Sequence, residues 1–430
     1  MKLSLLPLLT PLLISNVLAW PGMSSTLSQL NTRLHTRQDS PEDSIELIGD
    51  LVPEKGGPTT PVGWAVWGIL TGSIDGQGLT EWKGPLPGKK TPQCKADTCC
   101  IWRHIALEME KKFKGRSGRC NKWARFAVRL GFHDAGTWSK YTEDFGGADG
   151  SIILSGEELT RGENNGLQDI AVKMQKWYAE YSKFGVGMAD LIQMGANVAT
   201  VVCPLGPRIR TFVGRTDSSK PSINGLLPDV HGEAEDLINL FENKTIRAHG
   251  LVALLGAHTT SQQNFVDPKR AKDPQDSTPG IWDVAFYGQT TGAAPKRVFR
   301  FPSDVKIAAH PKASDEWGQF TNDQEHWNTV SAILFNWSSE TFLVSCASQV
   351  YSSLKWLLID VQDYAREYVR LSLLGVNNIN SLTECTHVLP PRILTAKTGD
   401  DNAAIQKWLK GEKNQLSTVL EEGDPVPKAK

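Results

Sequence analysis

The sequence predicts an all-α protein, because apolar residues recur at helical spacing along most of the chain from Cys94 onward and strand-like alternation is scarce. The best strand candidate runs from Arg208 to Val213. With 430 residues, the chain can bury a large core and can hold more than one domain. The predicted helices span 101–114, 121–135, 164–182, 187–201, 232–242, 245–258 and 360–374, with shorter ones near 282, 304 and 315.

Charge and targeting signals narrow the function classes. The net charge is -1 and the pI is about 6.8, which gives no electrostatic basis for binding nucleic acid or an anionic membrane. Lys2 and the mainly apolar run from Leu5 to Leu18, closing at Ala19, are typical of a secretory signal peptide over 1–19, and the run is too short to span a membrane. We therefore expect a secreted, extracellular protein.

Seven cysteines occur in the chain, an odd number that leaves at least one unpaired. Export permits disulfides, but the sequence alone leaves their pairing open. Two glycosylation sequons, at Asn243 and Asn336, fit a secreted chain. The segment 20–92 is rich in Ser, Thr, Pro and Gly and is predicted to be a loosely packed N-terminal extension or pro-segment. The polar segment 399–430 is predicted to be a poorly ordered tail.

Arg129 and His133 are four residues apart in a predicted helix, so both side chains leave the same face and enter one space. An imidazole can take a proton from one atom and return it to another, while a guanidinium stabilises developing negative charge. This pairing suits a small polar molecule such as hydrogen peroxide. A surface pair or a satisfied core pair remains the alternative.

Oxygen ligands for a hard cation follow the histidine. Asp134 comes directly after it, and Gly147, Asp149 and Ser151 follow a polar loop, a set that suits calcium. Capping of a helix N-terminus by Asp149 or Ser151 is the alternative.

A second histidine, His258, ends the apolar stretch LVALLGAH that begins at Leu251. Taken alone, it is consistent with a buried structural histidine. A haem, however, requires one such axial imidazole, approached from the face opposite the first pair.

These stretches resemble the secreted haem peroxidases of fungi, the class that includes the lignin and manganese peroxidases. The resemblance rests on RFAVRLGFHDAG from Arg125, GAHT from Gly256 and DSTPGIWD from Asp276, and it extends to MADLIQ, CPLGPR, GRTD and LTECTHVLP. It implies a haem peroxidase domain over 93–398, with two helical halves and haem b between a distal and a proximal helix.

The resemblance also implies residue roles. Arg129 and His133 would form the distal pair, with Phe132 as the distal aromatic. Asn164 would accept the Nδ1 proton of His133 and would itself be braced by Glu158.

On the other side of the haem, the resemblance implies that His258 is the axial ligand of the iron and that Asp304 is hydrogen-bonded to it. Taken alone, Asn164 and Asp304 are equally well explained as helix caps.

Two calcium sites and three disulfides are implied in the same way. The distal ligands would be Asp134, Gly147, Asp149 and Ser151, and the proximal ligands would be Thr259, Asp276, Thr278, Ile281 through its carbonyl, and Asp283. The disulfides would be Cys94–Cys100, Cys99–Cys385 and Cys120–Cys203, which leaves Cys346 over.

The sequence departs from the family pattern in several places. Lys122, Phe126 and Asn264 stand where manganese peroxidases carry three acids, so manganese oxidation is not expected. Ala253 stands where lignin peroxidases carry an electron-transfer tryptophan. The segment 329–359 has no counterpart and is either a genuine insertion or a translated intron.

We therefore predict a secreted, monomeric haem peroxidase with haem b and two calcium ions. It would use hydrogen peroxide to oxidise small phenolic or aromatic donors in one-electron steps. The alternatives are a lignin-peroxidase-like enzyme that uses a surface tryptophan, and a catalytically weak haem- or calcium-binding wall protein.

Overall fold

A computed structural model describes residues 43–142, 145–328, 363–396, 401–412 and 416–427. The predicted signal peptide, the segment 329–359, Cys346 and the sequon at Asn336 lie outside the described residues. The α-helices are Pro61–Leu70, Pro92–Ala96, Thr98–Phe113, Lys122–Ala135, Ser151–Leu154, Gln168–Tyr181, Met188–Val202, Ala234–Glu242, Ala248–Leu255, Ala285–Thr291, Pro302–Ala308, Ser314–Phe320, Gln324–Asn328, Asp363–Leu371, Asn402–Leu409 and Ser417–Glu421.

The helix Lys122–Ala135, here called the distal helix, packs on Met188–Val202, a helix buried along its whole length. Asn121 starts the distal helix by accepting hydrogen bonds from the backbone N–H groups of Trp123 and Ala124. Its buried face includes Ala124, Val128 and Leu130. The prediction of an all-α fold is confirmed. Among the described residues, the sheet consists of Phe212–Val213 paired antiparallel with Thr383–Glu384, shorter than the strand predicted from Arg208.

The helix Ala248–Leu255, here called the proximal helix, continues into a 3₁₀ turn, Gly256–Thr260, which carries His258. It packs on Asp363–Leu371. Trp327 supports it from outside the helix, because its indole N–H donates to the carbonyl of Ala253 at 2.9 Å. The helix therefore fixes the position of the histidine at its end.

Three disulfides join Cys94 to Cys100, Cys99 to Cys385 and Cys120 to Cys203, the same pairs that the resemblance implies. The second links the start of the helical domain to a residue 286 positions later.

The expected loose packing of the N-terminal extension is wrong for its described part, 43–92. This part forms the helix Pro61–Leu70, which Thr60 caps by accepting from the N–H of Gly63. Val66, Ile69 and Leu70 are fully buried in the main core. The Pro- and Gly-rich composition misled the prediction, since Pro61 is compatible with the first turn of this helix, and Gly63 and Gly68 lie within it.

The expectation of a poorly ordered tail is also wrong for the described part of 399–430. Two short helices there form a second apolar cluster against Val298, through Ile405, Trp408, Leu409, Leu416 and Leu420. Asp401 accepts from both terminal nitrogens of Arg119, at 3.2 and 2.6 Å. Few apolar residues are present in this segment, but five of them are buried in this cluster.

Among the described residues, no single helix is both long and apolar enough to cross a membrane. Gln168–Phe184 and Met188–Val202 reach the necessary length and composition only together, across a bend of 119°.

The folded C-terminal segment predicts that Trp408→Ala lowers the free energy of unfolding by about 3–5 kcal/mol, because the indole is fully buried. Urea denaturation measures the loss. Trp64→Ala is the control, since the side chain of Trp64 is 54% exposed and should contribute far less. Equal, small losses for both variants would contradict a packed C-terminal segment.

Candidate active site

Arg129 and His133 lie one turn apart on the distal helix. Both side chains are hydrogen-bonded to the same short turn, residues 163–165. The guanidinium of Arg129 donates to the carbonyls of Asn165, at 2.7 Å, and Glu163, at 2.8 Å. Nδ1 of His133 lies 2.7 Å from Oδ1 of Asn164, between those two residues. The turn at 163–165 therefore fixes the cation and the imidazole relative to each other.

The hydrogen bonds of Asn164 determine which nitrogen of His133 carries the proton. The amide nitrogen of Asn164 donates to the backbone carbonyl of Glu158 at 2.8 Å, so its oxygen must face the imidazole. That oxygen accepts only, so Nδ1 of His133 is the protonated nitrogen and Nε2 carries a lone pair. Glu158 thus braces Asn164 through its main chain, while its carboxylate accepts from the N–H and hydroxyl of Ser222.

The protonation states suit a base beside a fixed positive charge. Burial and the charge of Arg129 hold the pKa of His133 well below its usual value, and the hydrogen bond to Asn164 offsets this only in part. Burial lowers the pKa of Arg129 to about 10, so the guanidinium stays charged at neutral pH.

Phe132 packs beside the histidine. Its ring stacks on Phe241 with centroids 6.0 Å apart and meets the ring of His133 edge to face at 5.5 Å. This arrangement limits rotation of both rings.

His258 has a matching arrangement on the proximal side. Its Nδ1 lies 3.0 Å from Oδ2 of Asp304, a carboxylate that is 1% exposed. The rings of Phe286 and Phe301 make T-shaped contacts with the imidazole, with centroids 5.6 and 5.4 Å away. The side chain of His258 remains 30% exposed, so an imidazole held at Nδ1 keeps an open side.

The loop that follows His258 comes close to the turn that holds Arg129. A Cβ built on Gly166 would lie 2.8 Å from the ring of Phe265 and 3.8 Å from Nη1 of Arg129. Phe265 is 59% exposed, so its ring lies at the protein surface. Sequence reasoning missed Phe265, because nothing local in the sequence relates it to Gly166.

The loop after the distal helix gathers buried oxygens. Asp134 is fully buried: its Oδ2 accepts from the N–H of Gly150 at 3.1 Å, and its Oδ1 has no hydrogen-bond partner among the described residues. The buried hydroxyl of Ser151 likewise has none there. Burial, then the nearby Asp149, raises the pKa of Asp134, and burial raises that of Asp149 to about 6. Gly147, at φ 101°, supplies a carbonyl in the same loop.

A second group of oxygens meets beside His258. The hydroxyl of Thr259 donates to Oδ2 of Asp276 at 2.5 Å and lies 3.3 Å from the carbonyl oxygen of Ile281. The hydroxyl of Thr278 lies 3.1 Å from Asp276 and 3.0 Å from Asp283. Burial raises the pKa of both carboxyls, and the pKa of Asp276 rises further because Asp283 is close.

Both groups fit a calcium ion by their chemistry. Each combines two carboxylates with hydroxyl and carbonyl oxygens, and in the part of the chain that the structure describes no Lys or Arg pairs with any of the four carboxylates. Two neighbouring acids, one of them fully buried, are costly without a counter-charge, and a divalent cation removes that cost.

Comparison with known proteins indicates the family of this chain. The family model described as "Peroxidase" matches residues 106–329. The chain is 32% identical to "Ligninase LG5" of Phanerodontia chrysosporium over 260 residues, which cover 55% of this chain and 68% of the relative. It is 33% identical to "Low-redox potential peroxidase" of Taiwanofungus camphoratus over 48% of this chain and 69% of the relative.

A third relative, "Peroxidase" of Arthromyces ramosus, is 26% identical over 69% of this chain and 77% of its own length. The matches therefore extend well beyond the histidine motifs. Together with the helical fold, they show that the chain belongs to the peroxidase family, among the fungal haem peroxidases of the lignin- and manganese-peroxidase kind.

Proposed function

We propose that His258 would hold haem iron and that His133 and Arg129 would act on hydrogen peroxide, in an enzyme that oxidises small phenolic or aromatic donors. The observation that carries this proposal is the pair of Nδ1 contacts, His133 to Asn164 and His258 to Asp304. Each leaves Nε2 as the nitrogen available for chemistry. When bound, haem b would supply the redox-active iron that exchanges electrons with peroxide and donor.

The distal residues move protons and stabilise charge. Neutral His133 accepts a proton at Nε2 from one peroxide oxygen and returns it to the other, which leaves as water. Arg129 stabilises the negative charge that develops on the departing oxygen. Peroxide takes two electrons and two protons in all, one electron from each of two donor molecules, and ends as two waters.

Asp304 acts through the proximal histidine. A buried carboxylate that accepts from Nδ1–H increases the basicity of the imidazole and so strengthens Nε2 as an iron ligand. It also prevents the ring of His258 from rotating out of position.

The residues at two positions of the family pattern, together with the related proteins, support the proposed class of electron donor. Lys122 pairs with Glu422 at 2.7 Å, and its positive charge does not suit a manganese site. Ala253 is fully buried, so its position offers no surface residue for electron transfer. Ligninases and peroxidases are among the relatives, which supports small aromatic compounds as the donors of this chain.

We propose that the two oxygen groups bind calcium and hold the two histidines in place. Asp134 directly follows His133, and Thr259 directly follows His258. An ion bound at either group would therefore fix the end of the helix that carries the histidine.

Secretion is part of the same proposal. Three disulfides are compatible with export into an oxidising compartment, and the pattern over 1–19 is typical of a signal peptide.

His133→Leu removes the base, and we expect the rate of reaction with hydrogen peroxide to fall by about 10²–10⁴-fold. Haem should be retained, because the variant leaves His258 in place. Stopped-flow absorbance at the Soret band measures the rate. The control is His231→Leu, an exposed histidine. A rate like that of the wild type in the His133 variant would rule out the assigned role.

Calcium removal is expected to lower the melting temperature, because each group would then hold two neighbouring acids, Asp134 with Asp149 and Asp276 with Asp283, without a counter-charge. The measurements are calcium per chain by elemental analysis and thermal unfolding with and without a chelator.

Asp276→Asn should lose about one calcium equivalent and melt lower, whereas Asp236→Asn, on the exposed face of another helix, should match the wild type. Purified enzyme that contains no calcium, or that melts unchanged after verified calcium removal, would contradict the assignment.

A further inference from the structure

Behind the proximal helix, four side chains from four separate helices meet, and the peroxidase site uses none of them. Nε2 of His249 lies 2.7 Å from Oε1 of Glu316 and 3.8 Å from Oδ2 of Asp363. Nε2 of His326 lies 3.6 and 3.5 Å from the same two oxygens. We call these four residues the His–acid cluster. The helices that carry them are Ala248–Leu255, Ser314–Phe320, Gln324–Asn328 and Asp363–Leu371.

We propose that the His–acid cluster binds a zinc ion. Zinc takes four nitrogen or oxygen ligands in tetrahedral geometry, and metal–ligand bonds of about 2.0–2.2 Å place neighbouring ligand atoms roughly 3.3–3.6 Å apart. Three of the four measured separations lie within a few tenths of an ångström of that range. The fourth, 2.7 Å, requires the side chains of His249 and Glu316 to move slightly apart.

His249 already has the orientation of a zinc ligand. Its Nδ1 contacts a carboxylate oxygen of Asp43, which is itself paired with Arg366. A histidine that binds a metal commonly donates its other ring N–H to a carboxylate, which directs the lone pair at the metal. The contact between Nδ1 and Asp43 therefore directs Nε2 of His249 toward Glu316 and Asp363.

Two acids in the His–acid cluster lack the hydrogen bonds that burial requires. Asp363 has a fully buried side chain, and neither of its carboxylate oxygens has a hydrogen-bond partner among the described residues. Oε1 of Glu316 also lacks a partner with hydrogen-bond geometry there, although Nε2 of His249 is 2.7 Å away. An unsatisfied buried carboxylate is costly, and a bound cation removes that cost.

The charges of the surrounding network also fit a divalent ion. Four carboxylates face two guanidiniums, which leaves two negative charges for other groups to balance. One zinc ion balances them with both imidazoles neutral, and two protonated imidazoles are the alternative. The carboxylates belong to Asp43, Glu316, Asp363 and Glu367, and the guanidiniums to Arg366 and Arg370.

The site would be structural. All four positions would be filled by protein, so no open coordination position remains for a substrate. His249 lies on the proximal helix, nine residues before His258, and the ion would tie that helix to three others. Zinc at the His–acid cluster is independent of the chemistry proposed at the haem.

The test uses the full chain loaded with haem and calcium. The protein is incubated with zinc, dialysed against metal-free buffer that contains calcium, and analysed for zinc by mass spectrometry and X-ray absorption at the zinc edge. We expect one zinc per chain, surrounded by nitrogen and oxygen with the scattering pattern of two imidazoles and without sulfur. Zinc should also raise the melting temperature.

His326→Gln removes one ligand, and we expect zinc to bind at least about 10-fold more weakly by calorimetric titration. His310→Gln is the matched control, since His310 pairs with Glu235 at the surface and should leave zinc binding unchanged. The Soret band and the circular dichroism of each variant report whether it has folded.

Wild-type protein that retains no zinc, or whose zinc lacks imidazole neighbours, overturns the proposal and indicates protonated histidines instead. So does equal zinc affinity in a folded His326→Gln variant. If that variant does not fold, the X-ray absorption of the wild type decides by itself.

Discussion

Each of the two central imidazoles is held through Nδ1 by a side chain that is itself fixed. Asn164 cannot turn its amide, because the backbone carbonyl of Glu158 accepts from its nitrogen. Asp304 is held by burial at the start of the helix Pro302–Ala308. The two contacts leave Nε2 of each imidazole available, where His133 would act as a base and His258 would act as a metal ligand. Helix packing and the loops matter to function because they preserve these two contacts.

The loops at the ends of the distal and proximal helices also affect the positions of the two imidazoles. In each loop a residue adjacent to the histidine contributes oxygen to a group of two carboxylates, one of which is fully buried. Repulsion between those carboxylates opposes folding unless a cation is bound, so ion binding and imidazole position would be coupled through the backbone. Helix Met188–Val202, buried along its length, gives the distal helix a rigid support on its other face.

Local patterns in the sequence were enough for much of the fold. Apolar spacing predicted the distal helix, and the four-residue interval placed Arg129 and His133 on one face. The contact of His133 with Asn164 joins residues 31 positions apart, and only the family resemblance indicated it. Composition misled at both ends of the chain, although Ile405, Trp408 and Leu409 have helical spacing and could have revealed the C-terminal helix. The His–acid cluster has no local pattern, because its four residues come from separate helices.

The most direct test is a crystal structure of the enzyme with haem bound, which gives the ligand of the iron and the position of the distal pair. The account predicts that the iron is bonded to Nε2 of His258, with His133 and Arg129 on the opposite face of the porphyrin. Iron bonded to another side chain, or both histidines on the same face, would contradict it.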